Sequence, residues 1–207
     1  MIDKLISEID KSLKILSASP VGNRARPDLN IPDSKMLPEA DKNLHAKFMR
    51  VNHTGEVCAQ GLYRGQLFFN KNPNIKSELE KAAREEIDHL VWCEERINEL
   101  GGKTSLLNPI FYFGSFIVGS MASIVDDKYN LGFLSETEKQ VSAHLESHLN
   151  EINQEDKKTL TIIETMKKEE ELHQASAINL GAKKLPKIIQ TIMKKTAKLM
   201  TTSTFHI

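Results

Sequence analysis

The pattern Glu-x-x-His occurs twice in the chain, as Glu86-Ile87-Asp88-His89 and as Glu170-Glu171-Leu172-His173. Three residues apart on a helix, a carboxylate and an imidazole share one face and can grip the same ion. Each pattern follows a candidate lone glutamate by about one helical hairpin: Glu56 precedes Glu86 by 30 residues, and Glu138 precedes Glu170 by 32. The near-repeat reads as two hairpins carrying the same chemistry. One glutamate from each of two helices and a Glu-x-x-His from each of the other two is the donor set of carboxylate-bridged di-iron and di-manganese bundles. Hard oxygen donors with one imidazole per metal suit iron or manganese, whereas structural zinc favours more cysteine or histidine. The spacing leaves both metals open. A single Glu-x-x-His is ordinarily a solvated pair, but two of them, each with its own upstream glutamate, are hard to obtain by accident.

Other residues compete for a role. His144 and His148, four apart, are the main rival, since histidines at that spacing can hold zinc. His144 also lies six residues after Glu138 and could support the site as a hydrogen-bond partner, while His148 is expected at the surface. His53, one turn before Glu56, is balanced between support and no role. Asp88 is balanced between support and solvation, and Glu171 is expected in solvent.

The elements that must position these groups are helices. Leu5, Ile6, Ile9, Leu13 and Leu16 recur at helical spacing, and Ser19-Pro20 through Pro38 reads as an irregular linker. The patterns predict long helices from about Asp41 to Phe69, Asn74 to Leu100, Ser135 to Asn150 and Gln154 to Leu180. Ser135 is read as the N-cap of the third, in a capping box with Glu138. A last, basic helix follows Pro186. No alternating β-branched runs appear, so the fold class is all-α, and 207 residues suit one domain, 1–207, with an N-terminal helix and linker over 1–40.

At this point the sequence resembles the demethoxyubiquinone hydroxylase family of ubiquinone biosynthesis. The resemblance is carried by Arg50-Val51-Asn52-His53-Thr54-Gly55-Glu56, Glu86-Ile87-Asp88-His89, Glu138 with His144-Leu145-Glu146-Ser147-His148-Leu149, and Glu170-Glu171-Leu172-His173. It implies a ferritin-like four-helix bundle with extra N-terminal, connecting and C-terminal amphipathic helices. It also implies metal ligation by Glu56, Glu86, His89, Glu138, Glu170 and His173, with two iron ions per chain. The implied reaction is a monooxygenation: one oxygen atom from dioxygen enters the ring of a polyprenylated demethoxyquinol, with electrons from an external reductant. The same donor set would also serve ferritin-like iron storage or ferroxidase chemistry, and a membrane-associated scaffold with incidental Glu-x-x-His pairs is a third, non-enzymatic reading.

A lipid-soluble substrate needs a route in. Leu106 to Val125 is uncharged and long enough to cross a bilayer, but a lone crossing would place the second and third long helices on opposite sides and scatter the six donors. The segment 105–125 is therefore expected to dip one face into a leaflet, with a core-packed helix as the alternative. Over 183–200, Lys183, Lys184, Lys187, Lys194, Lys195 and Lys198 accompany an apolar stripe of Leu185, Ile188, Ile189, Ile192, Met193 and Met200. Such a helix suits either anionic lipid or a solvated basic face over core. The first 20 residues, with Asp3, Glu8 and Asp10, fit neither a secretory nor a transit peptide, so the expected location is peripheral, on the cytoplasmic face of the cell membrane. Lys plus Arg and Asp plus Glu are both 28, which gives no reason to expect nucleic acid. Further expected partners are other ubiquinone-biosynthesis proteins or a second copy of the chain. Cys58 and Cys93 lack metal-ligand spacing and are expected as buried thiols.

Overall fold

The structure is a computed structural model that describes residues 2–17, 20–34 and 37–207, with the side chains of 2–5 and 17 outside the description. Among the described residues there are seven helices and no strand: α1 (Ile2–Ser17), α2 (Glu39–Phe69), α3 (Pro73–Glu99), α4 (Asn108–Val125), α5 (Asp127–Glu151), α6 (Lys157–Asn179) and α7 (Lys187–His206). Helices α2 and α3 form one hairpin, α5 and α6 the other, and α3 packs on α6 to join them into a four-helix bundle.

Local chemistry fixes where these helices begin. Asn72 accepts from the Asn74 amide and Pro73 occupies the first turn of α3, where no backbone donor is needed. The Asn70 and Asn72 side-chain amides then donate to Asp127, which ties the first hairpin's turn to the start of α5. At the other end Asp156 caps α6 by accepting from the Thr159 amide, and it also pairs with Arg96 of α3 and His45 of α2, each at 2.7 Å. Burial opposes ionisation of Asp156, but the hydrogen bonds from His45 and Thr159 and the charge of Arg96 hold its carboxyl down at about 2. Both knots set the longitudinal alignment of one hairpin against the other. Between them run the apolar layers Phe48, Met49, Trp92, Ile97, Leu145, Ile162, Ile163 and Met166 at one end and Tyr63, Leu79, Leu131 and Leu134 at the other.

One expectation is corrected. Helix α5 starts at Asp127, not Ser135; Asp126 is its N-cap, accepting from Lys128, and Ser135 lies within the helix. As expected, residues 20–34 carry no helix or strand; they form a strap across α3 and α6, in which buried Arg26 pairs with fully buried Asp28 at 2.5 Å and with Glu99 at 2.7 Å. In α1 the polar side faces inward. Glu8 takes a two-pronged ion pair from Arg64, and Ser12 meets the Tyr112 hydroxyl at 2.9 Å. Ile6, Ile9 and Leu13 of the predicted apolar stripe are exposed, Leu16 is half-buried, and the Leu5 side chain lies outside the described residues.

Helix α4 lies along α2 through a backbone-to-backbone contact. A Cβ at Gly61 would strike the Tyr112 carbonyl oxygen, one at Gly65 that of Phe116, and one at Gly119 that of Leu62. The opposite side, Ile110, Phe113, Ile117, Met121 and Ile124, is bare. The apolar segment is therefore packed on the bundle along one face and bare along the other.

Gly65→Ala is expected to destabilise the protein by about 1–3 kcal/mol, because the added methyl forces α2 and α4 apart. Gly114→Ala, where a Cβ meets nothing within 4 Å, is expected to be neutral or slightly stabilising. Thermal melts of the two variants check this; equal midpoints would refute the close contact.

Candidate metal centre

All six predicted ligand residues converge in the middle of the bundle. Glu56 comes from α2, Glu86 and His89 from α3, Glu138 from α5, and Glu170 and His173 from α6; all are buried. They form two overlapping groups, Glu56 with Glu86, His89 and Glu170, and Glu138 with Glu86, Glu170 and His173. Within each group the donor atoms lie within 4.8 Å of one another. Glu86 and Glu170 belong to both groups. The i, i+3 spacing on α3 and α6 does what it was read to do, placing each imidazole beside the carboxylate of its own helix.

Each histidine turns Nδ1 inward. His89 Nδ1 is 2.7 Å from Glu86 Oε2 and 3.2 Å from Glu170 Oε1; His173 Nδ1 is 2.9 Å from Glu86 Oε1 and 3.5 Å from Glu170 Oε2. Several of these approaches are not aligned as hydrogen bonds: Glu86 Oε1, both oxygens of Glu170 and His173 Nδ1 are buried with no hydrogen-bond partner. Buried polar atoms are rarely left so, and a cluster of them pointing at a common space is what a cation explains.

The electrostatics agree. Burial, and then the charges of Glu86 and Glu170, push the Glu56 carboxyl well above its ordinary range. Burial, with Glu170 and Glu86 adding to it, does the same to Glu138. Burial opposes a charge on His173, but the carboxylates of Glu170 and Glu86 beside it prevail and push it up to about 12. His89 is likewise raised well above its ordinary value, with Glu86 overcoming burial. Without metal, protons gather where positive charge is needed. Divalent cations would displace them, and the hard oxygen-rich donor set fits such ions. The buried Glu/His clusters thus form a candidate metal site.

Around the donors stand residues that the spacing argument missed. The outward nitrogen of each histidine meets a glutamate from the facing helix: His89 Nε2 is 2.7 Å from Glu169, and His173 Nε2 is 2.7 Å from Glu85. Both glutamates immediately precede the motif, so a doubled Glu-Glu-x-x-His was the available signal. Tyr63, two turns after Glu56, donates to Glu138 Oε1 at 2.5 Å; burial, then the Glu138 charge, raises the phenol well above its ordinary value and keeps it a donor.

The other candidates fall differently. His144 is not a hydrogen-bond partner of the cluster; it packs on His148, with ring centroids 4.1 Å apart. His148 is buried, not at the surface, and is stacked on Phe48 at 4.4 Å. His53 faces Asn108 at the head of α4, and burial lowers it to about 4. Asp88 is buried and accepts from the strap, whereas Glu171 is exposed and pairs with Lys167. The two cysteines are free, with Cys93 buried and Cys58 half-buried.

A helical bundle whose four central helices each deliver a buried glutamate, two of them with a histidine one turn on, belongs to the ferritin-like class of metal-carboxylate proteins. Residues 43–204 match the model of the family described as ubiquinone biosynthesis protein COQ7, and the chain belongs to that family. It is 46% identical over 208 residues to the 3-demethoxyubiquinol 3-hydroxylase of Legionella pneumophila (strain Paris), covering all of this chain and 97% of that protein. The enzyme of the same name from Chromobacterium violaceum is 46% identical over the whole of both chains. That of Nitrosomonas europaea is 43% identical, over 100% of this chain and 99% of its own.

Proposed function

We propose that the chain is a 3-demethoxyubiquinol 3-hydroxylase of ubiquinone biosynthesis that works with two iron ions in the buried centre. The observation that carries this is the pair of overlapping donor groups sharing Glu86 and Glu170, in a chain that matches hydroxylases of that name along its full length. In this reading Glu56 and His89 would hold one iron and Glu138 and His173 the other, with Glu86 and Glu170, which belong to both groups, available to each. Iron bound there would supply the redox chemistry for adding one oxygen atom of dioxygen to the quinol ring.

The protein's own residues set the conditions for that step. Glu169 and Glu85 accept from the outer imidazole nitrogens and so hold the rings with Nδ1 inward. Tyr63 keeps its phenolic proton and fixes the orientation of Glu138. Val57, Leu90 and Tyr112, fully or almost fully buried, pack together between α2, α3 and α4. Electrons come from a reductant outside the chain.

We also place the protein peripherally at the cytoplasmic face of the cell membrane. The support is the bare stripe of α4, with residues spaced 3 or 4 apart from Ile110 to Ile124, and the exposed Ile188, Ile192 and Leu199 of lysine-rich α7. Apart from a crossing, an apolar face of that length has two uses, a lipid leaflet or another protein, and a polyprenylated quinol reaches the enzyme from lipid.

Two experiments test these readings. Iron-loaded protein given reductant, a short-chain demethoxyquinol and isotopically labelled dioxygen is expected to yield hydroxylated quinol with one labelled oxygen. Glu56→Ala is expected to lower the rate by more than the ~100-fold that losing a ligand's hydrogen-bond partner costs; label from water, or undiminished turnover in the variant, would refute the assignment. In flotation with vesicles containing anionic lipid, wild type is expected to rise with the lipid and a Phe113→Asp, Ile117→Asp variant to stay behind. Equal behaviour of the two removes α4 from the membrane contact.

A further inference from the structure

The two halves of the centre are alike in how their histidines are braced and differ at the position just before each histidine. In the motifs Glu85-Glu86-Ile87-Asp88-His89 and Glu169-Glu170-Glu171-Leu172-His173, equivalent positions do equivalent work: the first glutamate of each braces the histidine of the other. The fourth position breaks the likeness. Asp88 is buried, while its counterpart Leu172 is exposed.

Asp88 is where the strap is fastened. Its Oδ1 accepts from the Asn23 amide at 2.5 Å and the Arg24 amide at 3.2 Å, and its Oδ2 accepts from Arg24 Nε at 2.6 Å. Fixed there, with its guanidinium 4.9 Å from the centre of the Trp92 ring, Arg24 sends Nη1 and Nη2 to the two oxygens of Glu169 at 2.7 and 2.8 Å. A two-pronged guanidinium–carboxylate contact restrains the carboxylate in both position and plane. Glu169 in turn braces His89. On the other side Glu85 braces His173 alone: among the described residues it makes no ion pair with a lysine or arginine, and it is the more exposed of the two, 32% against 20%.

We infer that Arg24 is a positioning residue that makes the two metal positions unequal, holding His89 ready while the His173 position stays the weaker and more easily emptied. This rests on the two-metal reading given above. The chain from strap to centre runs Arg24, Glu169, His89, and nothing comparable reaches His173. An unequal pair fills and empties in a fixed order, which a symmetrical pair cannot do.

Stepwise titration of metal-free protein with cobalt(II), followed by visible absorption and by competition with a chelator, tests this without turnover. Wild type is expected to take up two ions in two resolved steps. Arg24→Gln is expected to weaken the tighter step by ~10-fold or more and to alter the absorption of that step alone. Arg24→Lys should recover only part of the loss, since one ammonium cannot span both Glu169 oxygens. Glu85→Gln is expected to weaken the second step alone. Arg26→Gln loosens the same strap at Asp28 and Glu99 and is expected to leave both steps unchanged. Two equal steps in wild type, or an Arg24→Gln titration identical to wild type, would overturn the inference. So would an Arg26→Gln titration that copies Arg24→Gln, which would mean that the strap's attachment matters and the guanidinium does not. If wild type takes up no cobalt, it is the two-metal reading itself that fails.

Discussion

Four glutamates packed within a few ångströms inside a helical bundle repel one another and have lost their water, so the interior must supply positive charge or fail to close. The raised Glu56 and Glu138 carboxyls and the raised His89 and His173 imidazoles are one answer, protons held where they would ordinarily leave. Metal cations are the other. Either way the cluster gains only if all six donors arrive together, because a buried charge left without its partner costs several kcal/mol. That demand explains why both ends of the bundle are pinned by polar knots rather than left to apolar contact alone: Asp156 with Arg96 and His45 at one end, Asp127 with Asn70 and Asn72 at the other.

Outside the central bundle, the remaining elements serve its two faces. The strap over 20–34 covers α3 and α6 where the outer nitrogen of His89 emerges, and brings a guanidinium to the glutamate that braces it. Helix α4 covers α2, pressed so close through glycines that it can hardly shift against the bundle. That close packing holds the bare apolar face of α4 in a fixed place on the outside of the bundle.

The two Glu-x-x-His pairs were legible because helical periodicity is local; spacings of 30 and 32 residues made Glu56 and Glu138 candidates, and the family resemblance completed the set of six. The braces were only half legible. Glu85 and Glu169 adjoin the motif, but which histidine each would meet depends on the facing helix. Arg24 could not be found at all, since its role depends on a strap folding back over helices more than 60 residues away in sequence. His148 was misjudged for a similar reason, its burial being decided by Phe48 of α2. The start of α5 was misplaced because Ser135 offers a plausible cap, whereas Asp126, directly after the apolar segment, provides the actual one. On α1, the inward turn of Glu8 and Ser12 follows from the Arg64 and Tyr112 partners, which no local pattern announces.

The central claim is that the six donors hold two irons side by side, and the most direct measurement is an anomalous-difference map from crystals grown with ferrous iron and collected at the iron absorption edge. The account predicts two peaks per chain, both between Glu86 and Glu170, one toward Glu56 and His89 and the other toward Glu138 and His173. A single peak, or iron bound instead between His144 and His148, would contradict it.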